Sequence, residues 1–136
     1  MQGHDYSCGL HSMCSAVESV GGEVRLSVNS SLRSSIRQGG LNEVQLSGLV
    51  SDVSDAVGVT KYGWSLDDMY GMMNRGSVIA HVDGNHWVHV QNAFSKLDGS
   101  TWVRVYDSGR GGYYTQAAES FFSRTRSTTP IINVRR

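Results

Sequence analysis

The chain has 136 residues and a formal net charge of zero, with 39% hydrophobic and 18% charged residues. This length suits one domain with a sizeable core, and the charge balance differs from that of a disordered chain or a strongly basic nucleic-acid-binding protein. No apolar run is long enough to span a membrane and no signal peptide is recognisable, so we expect a soluble domain that does not bind membranes.

The first predicted element is a helix that carries a cysteine near its start. Residues 9–20 contain no proline and are followed by Gly21 and Gly22, a pair that permits a helix to end. Apolar residues recur along this segment at helical spacing: Leu10, Met13, Cys14, Val17 and Val20. Cys8 would then lie at the first turn, where the helix dipole favours a thiolate. The alternative is that Cys8 is a small buried hydrophobic residue.

Cys8 and Cys14 are the two cysteines of the chain. Both fall on one predicted helix and point to different parts of its surface, which disfavours a disulfide between them. No pair of histidines at ligand spacing accompanies them, so we expect neither a metal nor a cofactor. The prediction is a reduced, functional Cys8 and a buried Cys14.

The rest of the first half is predicted to be mainly helical. Residues 23–28 are ambiguous and fit a short extended piece, whereas residues 30–38 predict a short helix that ends at Gly39 and Gly40. Asn42 is the predicted N-cap of the next helix.

That next helix is predicted to run through Val57 and to end at Gly58, because valines and leucines form one inner face along it. Ser65 and Asp68 match a capping box, which predicts the start of a third helix.

The second half has the period of strands. Predicted strands, separated by turn-forming residues at 83–85 and 96–99, span residues 77–82, 86–94, 101–106 and 131–134. Gly109, Gly111 and Gly112 predict a loop, and Thr115 is the predicted cap of a short helix. Helices packed on an antiparallel sheet make this an α+β domain that covers residues 1–136.

Two polar residues are predicted to meet at one edge of this sheet. Strand alternation puts His86 on the face of Val88, and Asp107 on the face of Val105. Because His86 begins one strand of a hairpin and Asp107 ends the other, both side chains should emerge at the same edge. A carboxylate there can hold one imidazole nitrogen while the other accepts a proton from a thiol.

The order of these motifs resembles the papain-like bacteriocin-processing peptidases, which cleave double-glycine leader peptides. The resemblance rests on Gln2 six residues before Cys8-Gly9, on the strand from Asn85 to Val90, and on the strand from Val103 to Ser108. It covers nearly the whole chain, although Ser108 stands where the family usually has proline.

The resemblance implies a papain-like cysteine peptidase fold and a hydrolase without cofactor or metal. It implies that Cys8 is the nucleophile, His86 the general base and acid, Asp107 the residue that orients His86, and Gln2 the side-chain donor to the oxyanion. The backbone N–H of Cys8 would complete the oxyanion hole.

Papain-like domains of this size also occur as toxins of bacterial competition systems, and the polar first helix and Ser108 favour that reading. It implies a domain excised from a larger protein, delivered into the cytoplasm of a target cell and neutralised by an immunity protein. The substrate would be a protein, a peptide or a glutamine side chain. The alternatives are a leader peptidase and a toxin nuclease that cleaves tRNA on this scaffold, in which Cys8 is dispensable. An inactive binding module is the third possibility.

The remaining histidines and aromatic residues are assigned to packing or to the surface. His4 and His11 are expected at the surface, and His81 in packing or at a rim. His89 is expected on a polar face because it points away from His86. Other residues expected to be structural or solvated are Trp87, Tyr106, Asp67, Asp68, Arg124, Arg126, Arg135 and Arg136.

Overall fold

A computed structural model describes residues 4–23, 43–84, 86–107, 110–126 and 129–136, and for residues 1–10, 43–45, 49 and 53 it describes no side chain. The helices are α1 (His4–Ser19), α2 (Glu43–Val53), α3 (Leu66–Met73) and α4 (Ala118–Phe122). The strands are β1 (Val57–Lys61), β2 (Ser77–Val82), β3 (His86–Ser95), β4 (Thr101–Asp107), β5 (Gly112–Ala117) and β6 (Ile131–Arg135).

These strands form one six-stranded sheet in the order β1-β6-β2-β3-β4-β5. Every neighbouring pair in it is antiparallel. The α+β class and the antiparallel sheet are therefore confirmed. The strand that begins at His86 lies near the middle of the sheet, with neighbours on both sides.

Helices cover both faces of the sheet, and each face has its own core. On one face α1 and α2 pack on the sheet through Met13, Val17, Leu46, Val50, Ile79, Trp87 and Ile132. On the other face α3 and α4 pack through Met69, Val78, Val88, Val90, Val103, Val105 and Phe121. The alternation of β3 therefore sends successive side chains into two different cores.

Several local predictions are confirmed. Ser65 accepts a hydrogen bond from the Asp68 N–H at 3.2 Å, while the Asp68 carboxylate accepts one from the Ser65 N–H at 2.9 Å. The bounds of β2 are as predicted, and the turn after it has positive φ at Asp83 (56°) and Gly84 (87°). This turn leads directly to His86.

The first helix differs from the prediction at its start. α1 begins at His4, five residues before the predicted start at Gly9, and ends at Ser19. Polar residues at its beginning concealed the extension because they carry no apolar period. The predicted stop is confirmed, since Gly21 has φ of 79° and its N–H bonds to the Glu18 carbonyl at 3.0 Å.

The prediction of a helix through Val57 is wrong. α2 ends at Val53, and β1 follows and pairs with β6. Gly58 lies inside this strand, where a Cβ would come within 3.0 Å of the Ser47 carbonyl oxygen. Its role is to allow α2 and β1 to approach each other closely. In the sequence, a glycine with this role looks the same as a glycine that ends a helix.

The cap predicted at Thr115 is also wrong. Thr115 lies in β5, which pairs with β4 along its whole length, and α4 begins only at Ala118. Gly112, predicted to lie in a loop, begins this strand, so the sheet has an edge strand that was not predicted. Gly109 lies outside the described residues. The helix predicted at residues 30–38, the cap at Asn42 and all but Glu23 of the extended piece predicted at residues 23–28 lie outside the described residues.

Candidate active site

His86 and Asp107 are in direct contact at one edge of the sheet. His89 pairs with Tyr106, and continuing that register sets Asp107 beside the beginning of β3. His86 Nε2 lies 2.7 Å from Asp107 Oδ1. The His86 side chain is 22% exposed, whereas that of Asp107 is only 4% exposed. The predicted proximity of the two residues is confirmed.

This contact determines what the imidazole can do. A buried carboxylate on Nε2 selects the tautomer with the proton on that nitrogen and stabilises the ring when it becomes charged. Nδ1 of His86 is then the nitrogen for proton transfer. The arrangement suits general acid–base chemistry by His86, with Asp107 as the residue that orients it.

The turn before His86 is held by Arg124. Asp83 accepts hydrogen bonds from Arg124 Nε at 3.1 Å and from Nη2 at 2.7 Å, and its own N–H donates to the Arg124 carbonyl at 2.9 Å. Arg124 Nη1 also donates to the Tyr114 hydroxyl and the Gln116 side chain, at 2.6 and 2.9 Å. The hydrogen bonds from Arg124 lower the pKa of Asp83. This cluster fixes the backbone from which His86 starts.

A second arginine, Arg110, lies near the Asp107 carboxylate. Its Nε is 3.9 Å from Asp107 Oδ2, and its guanidinium group sits over the Tyr114 ring at 4.5 Å from the centroid. The Arg110 side chain is 62% exposed. Two guanidinium groups therefore lie near the His–Asp pair: that of Arg124 is bound to Asp83, and that of Arg110 faces solvent.

Helix α1 lies along β3 and is anchored to it through serines. Ser12 Oγ donates to the Trp87 carbonyl at 2.9 Å, and Ser15 Oγ lies 2.7 Å from His89 Nδ1. α1 therefore runs in the same direction as β3. Cys8 occupies the position one helical turn before Ser12, which rises about 6 Å along the axis and sets it level with the beginning of β3.

The backbone of Cys8 is thus level with the end of the sheet that holds His86 and Asp107, although its side chain and all of Gln2 lie outside the described residues. α1 packs on the face of Trp87, whereas His86 projects from the face of Val88. A group on α1 can meet His86 only around the edge where β3 begins.

The earlier start of α1 corrects two expectations about Cys8. Cys8 is the fifth residue of α1 and not part of its first turn, and the effect of the helix dipole falls off within one turn. In a regular α-helix from His4, the Cys8 N–H bonds to the His4 carbonyl. We therefore do not assign this N–H to an oxyanion hole. Activation of the thiol would have to come from the imidazole.

A second histidine site was missed in the sequence. His89 was expected on a polar face, but it is completely buried between α1 and the sheet. Its Nε2 contacts Ser77 Oγ, and Ser77 Oγ accepts a hydrogen bond from Ser19 Oγ at 2.9 Å. With Ser15 on Nδ1, the ring links α1 to both β2 and β3. The sequence signal for this site was the helical spacing of Ser12, Ser15 and Ser19 along α1, which places polar side chains on the face that packs on the sheet.

Acid should weaken the fold through His89. Burial lowers the pKa of His89 from 6.5 to about 4. Between these values the unfolded chain binds a proton that the folded chain does not. The contribution of His89 to the free energy of unfolding is therefore fully present above pH 6.5 and is lost as the pH drops towards 4. The full loss is roughly 3 kcal/mol. Urea unfolding of the parent and of His89→Gln at pH 7 and pH 4.5 measures it.

The gap in stability between the two proteins should narrow at the lower pH, because glutamine does not titrate. His11→Gln is the matched control, since His11 is exposed on α1, the helix that covers His89. A gap that stays constant with pH would mean that His89 protonates without cost.

The other residues named from the sequence have structural surroundings. His81 stacks edge-on against Trp87 at 4.7 Å between ring centroids, and Trp87 is only 3% exposed, as expected for packing residues. Cys14 is half-buried, and burial together with Glu18 raises the pKa of its thiol to about 11. Tyr106 packs against the Tyr113 ring.

Within the described parts of the chain, no group of three or more histidine, cysteine or acidic side chains could hold a metal ion. No helix in those parts is both long and apolar enough to cross a membrane. Comparison of the chain with protein-family models, curated protein sequences and solved structures gives no match. The resemblance to papain-like peptidases therefore rests on the residues and spacings in the sequence.

Proposed function

We propose that this chain is a papain-like cysteine hydrolase that attacks an amide or peptide carbonyl through Cys8, His86 and Asp107. The observation that carries the proposal is the contact of His86 Nε2 with the buried Asp107 carboxylate, at the sheet edge that α1 reaches near Cys8. The α+β architecture, with a helix that carries the cysteine packed on a sheet that carries the histidine, is compatible with the papain-like fold.

The reaction follows from the roles of these groups. His86 Nδ1 takes the Cys8 proton, and the thiolate sulfur attacks the carbonyl carbon. The C–N bond then breaks as the imidazolium gives its proton to the leaving nitrogen, which leaves an acyl-thioester on Cys8. His86 next takes a proton from water, whose oxygen displaces the thiolate and releases the acid. The Gln2 amide is the proposed donor to the oxyanion of each tetrahedral intermediate.

The substrate class includes a peptide bond and a glutamine side chain, since both present an amide carbonyl to one thiolate. In the first case the chain is a protease and in the second a deamidase. We further propose that it is an effector of bacterial competition that acts in a target cell and binds an immunity protein. The uneven polar pattern of α1 and Ser108 in place of proline support this over leader processing.

Cys8 should be far more reactive than Cys14. Because the activating group is the imidazole and not the start of α1, iodoacetamide should alkylate Cys8 at a rate already high near pH 6. Cys14 is the internal comparator, since its thiol has a pKa of about 11 and stays protonated over the range. Mass spectrometry of peptides from reactions between pH 5 and 9 gives both rates.

His86→Ala should return Cys8 to an ordinary thiol that reacts only above about pH 8. If Cys8 stays reactive at pH 6 in that variant, the imidazole is not the activating group. If Cys8 in the parent reacts only above pH 8, the proposed nucleophile is wrong.

A nuclease is the second candidate, favoured by one observation. His86 and Asp107 share their sheet face with Arg110 and Arg124, whereas α1 lies on the opposite face. Histidine and arginine can act on a ribose-phosphate without a thiol, although the zero net charge provides little phosphate neutralisation. A tRNA gel with Cys8→Ala tests it directly: cleavage by that variant would support the nuclease.

A further inference from the structure

We propose that Arg110 is the part of the substrate site that binds a carboxylate close to the scissile amide, so that the preferred substrate carries an acidic side chain or a terminal carboxylate there. This inference rests on the proposed cysteine hydrolase and names its substrate class. Its basis is a guanidinium group that is held in place beside His86 and Asp107 but lacks a close acceptor in the described part of the chain.

Two arginines at this edge differ in how they are used. Arg124 is half-buried and donates to Asp83, Tyr114 and Gln116 at 2.6 to 3.1 Å, so its donors serve the fold. Arg110 is 62% exposed, and its contact with the Asp107 carboxylate at 3.9 Å is longer than a hydrogen bond. Its remaining N–H groups form a fork that matches a carboxylate.

The position of Arg110 is nonetheless defined. The guanidinium group stacks over the Tyr114 ring. Because this stacking already restricts the side chain, less conformational entropy is lost when the group binds an anion. Gly111, the next residue, has φ of 78°, a left-handed conformation that fixes the direction of the chain into β5. An anion on this group would lie next to the imidazole that performs the proton transfer.

The charges of the surroundings favour an anion. Arg110 and Arg124 contribute two positive charges there, and Arg126 adds a third because its guanidinium group lies beside Gly84, in the turn before His86. Asp83 and Asp107 contribute two negative charges, which leaves a surplus of one positive charge before His86 takes a proton. The field at the site mouth therefore attracts carboxylates.

Two alkylating reagents with the same reacting carbon test this inference. Iodoacetate carries a carboxylate and iodoacetamide does not, so the ratio of their rates on Cys8 measures the preference for an anion. Arg110→Gln should lower the ratio of the iodoacetate rate to the iodoacetamide rate about fivefold at low salt. Arg110→Lys should keep most of the preference, and about 0.5 M salt should reduce it in the parent.

Arg75→Gln is the matched control, because it removes the same charge from an exposed arginine just before β2, at the opposite end of that strand from Asp83. Equal effects of Arg75→Gln and Arg110→Gln, or an unchanged ratio in Arg110→Gln, would overturn the inference. Slow reaction of Cys8 with both reagents in the parent would instead overturn the proposed function.

Peptide substrates then identify the source of the carboxylate. Glutamine peptides with aspartate or asparagine beside the glutamine, each with a free or an amidated C-terminus, separate a side chain from a terminus. In each pair, the peptide with the additional carboxylate should have the lower KM with the parent protein. With Arg110→Gln the KM values of the two peptides should become equal. If Arg110→Gln instead abolishes tRNA cleavage in a Cys8→Ala background, the bound anion is a phosphate and the carboxylate assignment is wrong.

Discussion

Cys8→Ala and Cys8→Ser are both expected to abolish hydrolysis of a fluorogenic glutamine amide and inhibition of bacterial growth. Alanine has no nucleophile, and serine is a much weaker acid than cysteine, so a site that depends on a thiolate loses its nucleophile in both variants. Loss of a nucleophile in such a unit lowers turnover by about 10⁵-fold to 10⁶-fold. Gln2→Ala should give a smaller loss of about a hundredfold, the usual effect of one oxyanion donor.

Cys14→Ser is the matched control for Cys8→Ser. Cys14 lies on the same helix, is half-buried against the core and has a protonated thiol at neutral pH. The control should keep turnover within about threefold, because Cys14 contacts the core and not the His–Asp pair. Thermal unfolding of each variant checks that the fold is intact.

A toxic Cys8→Ala variant would end the acyl-enzyme hypothesis. If that variant also cleaves tRNA, the catalysts are to be sought among His86 and the arginines beside it. If it is toxic and leaves RNA intact, the chain acts by binding.

The sequence predicted the sheet better than the helices. The strand bounds of β2 and β3 follow from turn residues that structure the chain locally, and Asp83 and Gly84 do adopt positive φ. Because the period of a strand is two, the shared face of His86 and Val88 could also be predicted without knowledge of the register. The contact with Asp107 follows once the hairpin is accepted.

The errors in the predictions arise where contacts between distant parts of the chain decide the role of a residue. Gly58 looks like a helix end but serves the close approach of α2 and β1. His89 looks like a surface residue, because a strand that is buried on both faces cannot be recognised from one histidine in it. Ser15, Ser77 and Ser19 satisfy that ring, and these partners lie far apart in the sequence.

Arg110 could not be recognised from the sequence either. The sequence places it three residues after Asp107, but only the pairing of β5 with β4 brings Tyr114 under its guanidinium group. The spacing of the motifs therefore predicts the proton-transfer pair, whereas the groups that select a substrate depend on how loops fold onto the sheet.

Asp107→Asn is expected to lower turnover by about a thousandfold to ten-thousandfold while the fold is kept. The side chain is almost completely buried, and asparagine has the same shape. We expect the positive charge of Arg110 to orient that amide: its Nε lies 3.9 Å from Oδ2, so the amide oxygen should prefer that side and the NH₂ group should turn towards His86. The NH₂ group would then donate to Nε2, which leaves the ring proton on Nδ1, where no thiol proton can be accepted.

This reasoning makes the loss depend on Arg110. In Asp107→Asn combined with Arg110→Gln, the amide can turn its oxygen to Nε2, and turnover should recover by about tenfold relative to Asp107→Asn alone. Asp98→Asn, in the exposed turn between β3 and β4, is the control and should keep parental turnover. The measurement is turnover of the glutamine amide as a function of pH, for the parent, Asp107→Asn, the double variant and Asp98→Asn. Near-parental activity of Asp107→Asn would show that another group orients His86, and the residues flanking the pair at positions 85 and 108 would be the first to replace.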